Sequence, residues 1–140
     1  MKKIALVLVA VLSVTLLLAA CTPNYTWEDA EKDIARIEDL GFVVYMENNA
    51  HNVQRVTESI NDRLSSEGKE FAVEIVNLCN LANENYDIIS FKEFKTEEQA
   101  KVMYADYIAS GSEQKVVLFG TILINSNAQE AIELLGYDFK

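Results

Sequence analysis

Histidine, proline and cysteine are almost missing from this chain: one, one and two among 140 residues. A single histidine, His51, excludes paired-histidine metal motifs, and Cys79 cannot make a zinc site without partners. A Ser-His-Asp or Cys-His centre would have to use His51. That residue lies in a polar stretch between Asn49 and Asn52, with no Ser or Cys beside it. The five glycines are spread singly, so there is no phosphate-cradling loop. Positive charge is also scarce, with 12 basic against 22 acidic side chains and a net charge of −10. A surface of that sign repels phosphate backbones and anionic headgroups, which argues against nucleic acid as a partner.

What is present begins with an apolar leader. Met1-Lys2-Lys3 is followed by an uncharged run from Ile4 to Ala20, the layout of a secretory signal. The run has 17 residues, at the lower edge of the roughly 17–25 that span a bilayer. A retained transmembrane helix is therefore the alternative. The run ends Leu18-Ala19-Ala20-Cys21, which resembles the lipobox of bacterial lipoproteins. That resemblance implies a diacylglyceryl thioether on Cys21, cleavage between Ala20 and Cys21, and acylation of the new terminus by a chain such as palmitate. It also implies a protein held by lipid at the extracytoplasmic face of the cell membrane. Residues 1–20 are then the signal, 21–25 a short tether, and 26–140 one α+β domain. Buried acyl chains contribute about 0.8 kcal/mol per methylene, so two or more hold a protein stably.

Without Lys2 and Lys3, ten basic side chains face 22 acidic ones, a charge of −12. Cys79 is left without an intramolecular disulfide partner once Cys21 carries lipid. It stands in the apolar run Val73–Leu81 with no cation beside it, which reads as a small buried hydrophobe rather than a reactive thiol.

Along the mature chain, Thr26 caps a helix with Asp29 as its partner, and Trp27, Ala30, Ile34 and Ile37 form its stripe. Residues 42–46 read as a strand. Val53, Val56, Ile60 and Leu64 repeat at helical spacing. Residues 70–78 read as the next strand, 80–85 as a turn, and 86–94 as another strand. Thr96-Glu97-Glu98-Gln99 is a capping box that opens a helix with Ala100, Met103, Tyr104, Tyr107 and Ile108 inward. Residues 115–125 form a β segment in which Gly120-Thr121 is either a type II′ hairpin turn or a bulge. Ser126 opens a last helix, with Gln129 as its capping partner. Residues 42–124 match βαββαβ, so the expected fold is a ferredoxin-like two-layer sandwich with an extra helix at each end. The element order resembles small α+β lipoproteins from bacteria.

No assembled catalytic, cofactor or metal constellation emerges. Asn83, Asn85 and Asp87 alternate like the start of a calcium loop, but the Gly and the closing Glu are missing, so a hairpin loop is expected. Glu97-Glu98 and Asp29/Asp33 are carboxylate pairs at places where helix caps and solvated faces are expected. Tyr104 and Tyr107, with Trp27, either line a ligand pocket or pack in the core. The function expected is a non-catalytic, membrane-anchored interaction or ligand-binding domain, with an unidentified protein or small molecule as partner. The alternatives are a small carboxylate-dependent enzyme or accessory subunit, and a cation-binding acidic lipoprotein.

Overall fold

A computed structural model describes residues 24–140. The lipobox residues Leu18 to Cys21, with the cleavage position Ala20/Cys21, lie outside the described residues. No helix of the described residues is long and apolar enough to cross a membrane.

The chain is α+β. Among the described residues four helices, α1 (Trp27–Asp39), α2 (Ala50–Ser66), α3 (Glu97–Ala109) and α4 (Gln129–Leu135), pack on a five-stranded sheet. The strands are β1 (Val43–Met46), β2 (Ile75–Ala82), β3 (Ile88–Phe94), β4 (Lys115–Phe119) and β5 (Ile122–Ser126). Their spatial order is β1-β2-β3-β5-β4, and every neighbouring pair is antiparallel.

That order corrects the expected ferredoxin-like βαββαβ arrangement. A split βαβ unit needs the strands on either side of its helix to run parallel, yet β1 and β2 flank α2 and pair antiparallel. The cause lies in the return path. Asn48, just before α2, bonds the Leu78 amide at 3.2 Å. Leu64 accepts from Lys69 N, Asn61 holds Val73 at both backbone groups, and Thr57 accepts from Ile75 N. Residues 69–75 therefore run back along α2, and the chain enters β2 near the point where it left β1.

The pleat sends alternate side chains to opposite faces, and each face has its own core. One holds Cys79, Leu81, Ile89, Phe91, Val117, Ile122 and Ile124 under α1 and α4. The other holds Leu78, Phe94, Val116 and Leu123 under α2 and α3. The two helices of the expected sandwich thus share one face, and the two terminal helices cover the other.

Local chemistry sets the boundaries. Thr26 and Asp29 form the full capping box of α1. Asn49 caps α2, which starts three residues before its apolar stripe and takes in His51 as an exposed residue of its first turn. Thr96 accepts from Gln99 N, but the Gln99 side chain bonds Glu74 N at 2.9 Å instead of completing a box. It joins α3 to the segment leading into β2. Ser126 does not open α4. It ends β5, and its hydroxyl donates to Ile88 O and accepts from Ala128 N. Gly120 has φ +57° while Thr121 has no positive φ, and Phe119 pairs with Ile122, so the residues between them form a type II′ hairpin turn.

Candidate functional site

On the face under α2 and α3, three cross-strand rows lie side by side, counted from the end of the sheet where β1 begins. The outermost is Val43, Ala82 and Ile88, and the next is Met46, Asn80, Ser90 and Asn125. The third contains Leu78, Lys92 and Leu123.

The outer row is apolar and open. With Gly41, Tyr45, Asn83, Glu84 and Tyr86 it forms a pocket of about 520 Å³, within the range that holds a small ligand. Val43 is 68% exposed, Tyr45 54% and Tyr86 87%. Tyr86 holds φ 63°, the only positive value at a non-glycine residue among the described residues. For a bulky residue that backbone costs about 1–2 kcal/mol. The loop fixes it there: Asn83 Oδ1 accepts from the amides of Asn85 and Asp87, and Asn83 N donates to Asp87 O. Asn83, Asn85 and Asp87 thus build a hairpin loop that stands the Tyr86 ring out into solvent.

The second and third rows hold a buried polar network. Lys92, 8% exposed, donates from Nζ to Ser90 Oγ at 2.5 Å and to Asn125 Oδ1 at 3.4 Å. Ser90 donates onward to Asn80 Oδ1 at 2.5 Å, and Asn125 donates to Gln114 Oε1 at 2.5 Å. The Asn80 amide also acts on the Tyr45 hydroxyl, lowering its pKa against a larger rise from burial. Both acceptors of the ammonium group are neutral, and loss of solvation lowers its pKa to about 8. A hydroxyl beside a lysine is the pairing of a nucleophile and its base, but Ser90 is only 3% exposed.

A second concavity, of about 640 Å³, lies between the start of α2 and residues 74–76. There the side chains of Asn48 and Thr57 already occupy the amides of Leu78 and Ile75. The chain's own side chains close that stretch of strand.

The opposite corner of the sheet is shut. Tyr25 stacks on Phe119 of β4 with ring centroids 4.6 Å apart, and Tyr137 meets Phe119 edge-on at 4.9 Å. Both tyrosine hydroxyls donate to Asp33 Oδ2, at 2.8 and 2.5 Å, and Arg36 donates to Asp33 Oδ1 at 3.0 Å. Burial, then the carboxylate they bond, pushes both phenols up, Tyr137 to about 12 and Tyr25 further. At the C-terminus, Lys140 N donates to Val116 O on the outer side of β4. Asp33 is therefore a buried structural anchor and not part of a solvated face.

The remaining candidates separate. Asp29 is a cap, Glu97 and Glu98 are exposed in the first turn of α3, and His51 is exposed. Cys79 is buried, with its thiol pushed up to about 11 chiefly by burial. Trp27 packs on one core and Tyr104 and Tyr107 on the other, so they share no pocket. Among the described residues no group of three acidic, His or Cys side chains is placed to hold a metal ion. The polar row escaped the sequence reading, although Ser90 and Lys92 alternate with apolar Ile89 and Phe91 and so must face the other way. The chain matches no family model, and no curated protein or solved structure matches it.

Proposed function

We propose that the chain is a bacterial lipoprotein, held by lipid on Cys21 at the extracytoplasmic face of the membrane, and that its folded part is a non-catalytic binding domain. The anchor rests on the leader Ile4–Ala20 and on Leu18-Ala19-Ala20-Cys21. The binding role rests on one observation: the apolar pocket at the β1 edge, walled by exposed Val43, Tyr45 and Tyr86. Isolated exposed apolar residues are ordinary, but a contiguous concave group beside a strand edge marks an interaction surface. The strain stored at Tyr86 supports the same reading, since such outliers gather where function demands them.

The anchor and the pocket would then sit far apart. Tyr25 follows Cys21 by four positions and is fixed on Phe119, on the β4 edge and the α1/α4 face. The pocket is on the β1 edge, the other face, and the other end of the strands. Four strand spacings alone separate the edges by about 19 Å. A short tether would hold the β4 corner toward the bilayer and turn the pocket away.

Two experiments test this reading. Cys21→Ala should abolish lipid labelling and leave the precursor uncleaved; normal processing would rule out the lipobox. A photo-crosslinking residue at position 45, in intact cells, should capture a discrete partner that the same residue at exposed position 138 does not. Equal capture at both positions would remove the pocket as the binding surface.

A further inference from the structure

β1 ends the sheet among the described residues. One side pairs with β2, and no described strand follows on the other, so its outward backbone N–H and C=O groups have no ladder partner. Soluble proteins commonly blunt such edges with Lys, Pro or an inward-pointing charge. The strand Val43-Val44-Tyr45-Met46 has none of these. It has an irregular register at Tyr45, yet Val43 and Tyr45 still stand exposed.

The segments that build this edge carry charge of one sign. No Lys or Arg occurs between Ile37 and Gln54, or between Glu70 and Phe91. Those two stretches build β1, all of β2 and the Tyr86 loop, and they carry exposed Glu38, Asp39, Glu47 and Glu84. Glu84 lines the pocket itself.

We propose that the β1 edge accepts an extended peptide segment, both basic and apolar, as an added sixth strand. Its main chain pairs with β1, its apolar side chains enter the pocket between Val43, Tyr45 and Tyr86, and its cations meet Glu47 and Glu84. In strand addition, main-chain bonds supply affinity and side-chain pockets supply specificity. A second copy of the chain would bring the same carboxylates against themselves, and an anionic lipid surface would be repelled in the same way. The inference names the partner class for the pocket and rests on reading that pocket as the binding surface.

The test uses the lipidated mature chain, Cys21 to Lys140, in neutral detergent micelles. The probe is a fluorescent decapeptide of alternating Lys and Val. Saturable binding is expected, with amide exchange of residues 43–46 slowed by about tenfold or more. An alternating Glu and Val decapeptide should not bind. N-methylation of every second amide of the Lys–Val peptide should weaken it by about tenfold or more, as should the exposed double change E47K/E84K. Indifference to N-methylation, or protection away from β1, would overturn strand addition. p-Cresol, a small neutral aromatic, separates the two readings when its contact is read from the amide chemical shifts of residues 43–46 and 86, which partitioning into micelles does not move. If p-cresol shifts those amides and V43S/Y45S abolishes the shifts while the peptide fails, the pocket stands and strand addition is wrong. If neither probe binds, both readings fall.

Discussion

The two edges of the sheet are finished in opposite ways. At β4 the chain folds two flanking segments over the strand: Tyr25 and Tyr137 close on Phe119, Asp33 ties both hydroxyls, and Lys140 bonds Val116 O. At β1 nothing described covers the strand, and the rings of Tyr45 and Tyr86 stay exposed. The same residue types are therefore used for stability at one corner and left available at the other. Aromatic rings bring large apolar area and a polar tip to either task. Only the β4 corner gives its tyrosine tips a buried carboxylate. At the β1 corner, stability is given up at Tyr86, where a strained backbone carries a ring that contacts little.

The largest effect expected on that contrast concerns Lys92, which ties the open face to the centre of the sheet. Its folded pKa is lowered from 10.5 to about 8 by burial. Between those values the unfolded chain holds a proton that the folded chain has released, so this group's contribution to stability rises with pH across that window. Below pH about 8 both states are charged and the burial penalty is constant. Comparing wild type with Lys92→Met by denaturant unfolding removes the titrations that both share. The stability of wild type relative to the variant should rise by about 3 kcal/mol from pH 7.5 to 10.5. A flat difference would mean that Lys92 is solvated.

Next in size is Asp33→Ala at the closed corner. It leaves the hydroxyls of Tyr25 and Tyr137 without their acceptor. The half-exposed Arg36 can be resolvated and adds little. A loss of about 2 kcal/mol is expected by chemical denaturation, and the segment holding Tyr25 should become more open to proteolysis. A smaller effect of opposite sign is expected at the open corner. Tyr86→Gly removes the positive-φ penalty and should stabilise the fold by about 1 kcal/mol, less the entropy glycine adds to the unfolded chain. It should also weaken binding at the pocket. Smallest of all, Val43→Thr should change stability by no more than about 0.5 kcal/mol. A loss much larger than that would show that Val43 belongs to the core.

Much of the element plan was readable, because caps and apolar stripes are local signals. Thr26 with Asp29, Gly120 at its turn, and Ile34 with Ile37 all behave as their neighbours require. What failed was register and partnership at long range. The second strand runs Ile75–Ala82 rather than 70–78, and Asn80 lies inside it, not in a turn. A polar residue reads as a turn until its cross-strand partner Ser90 is known. Asp33 resembled a solvated carboxylate because Tyr137, which buries it, lies 104 positions away. The site was legible only in fragments: Val43 and Tyr45 looked like ordinary strand residues, and nothing local marked β1 as the edge. The strand order itself follows from side chains at Asn48, Thr57 and Asn61 that hold the return path.

The opposition of a membrane-side corner and an outward binding corner is tested most directly by quenching on vesicles. Lipidated protein in a Cys79→Ala background would carry a fluorophore introduced through Tyr86→Cys or, separately, through Asp138→Cys, with a quencher attached to the lipid headgroups. The account predicts strong quenching at position 138 and little at position 86; equal quenching at both, or stronger quenching at position 86, would contradict it.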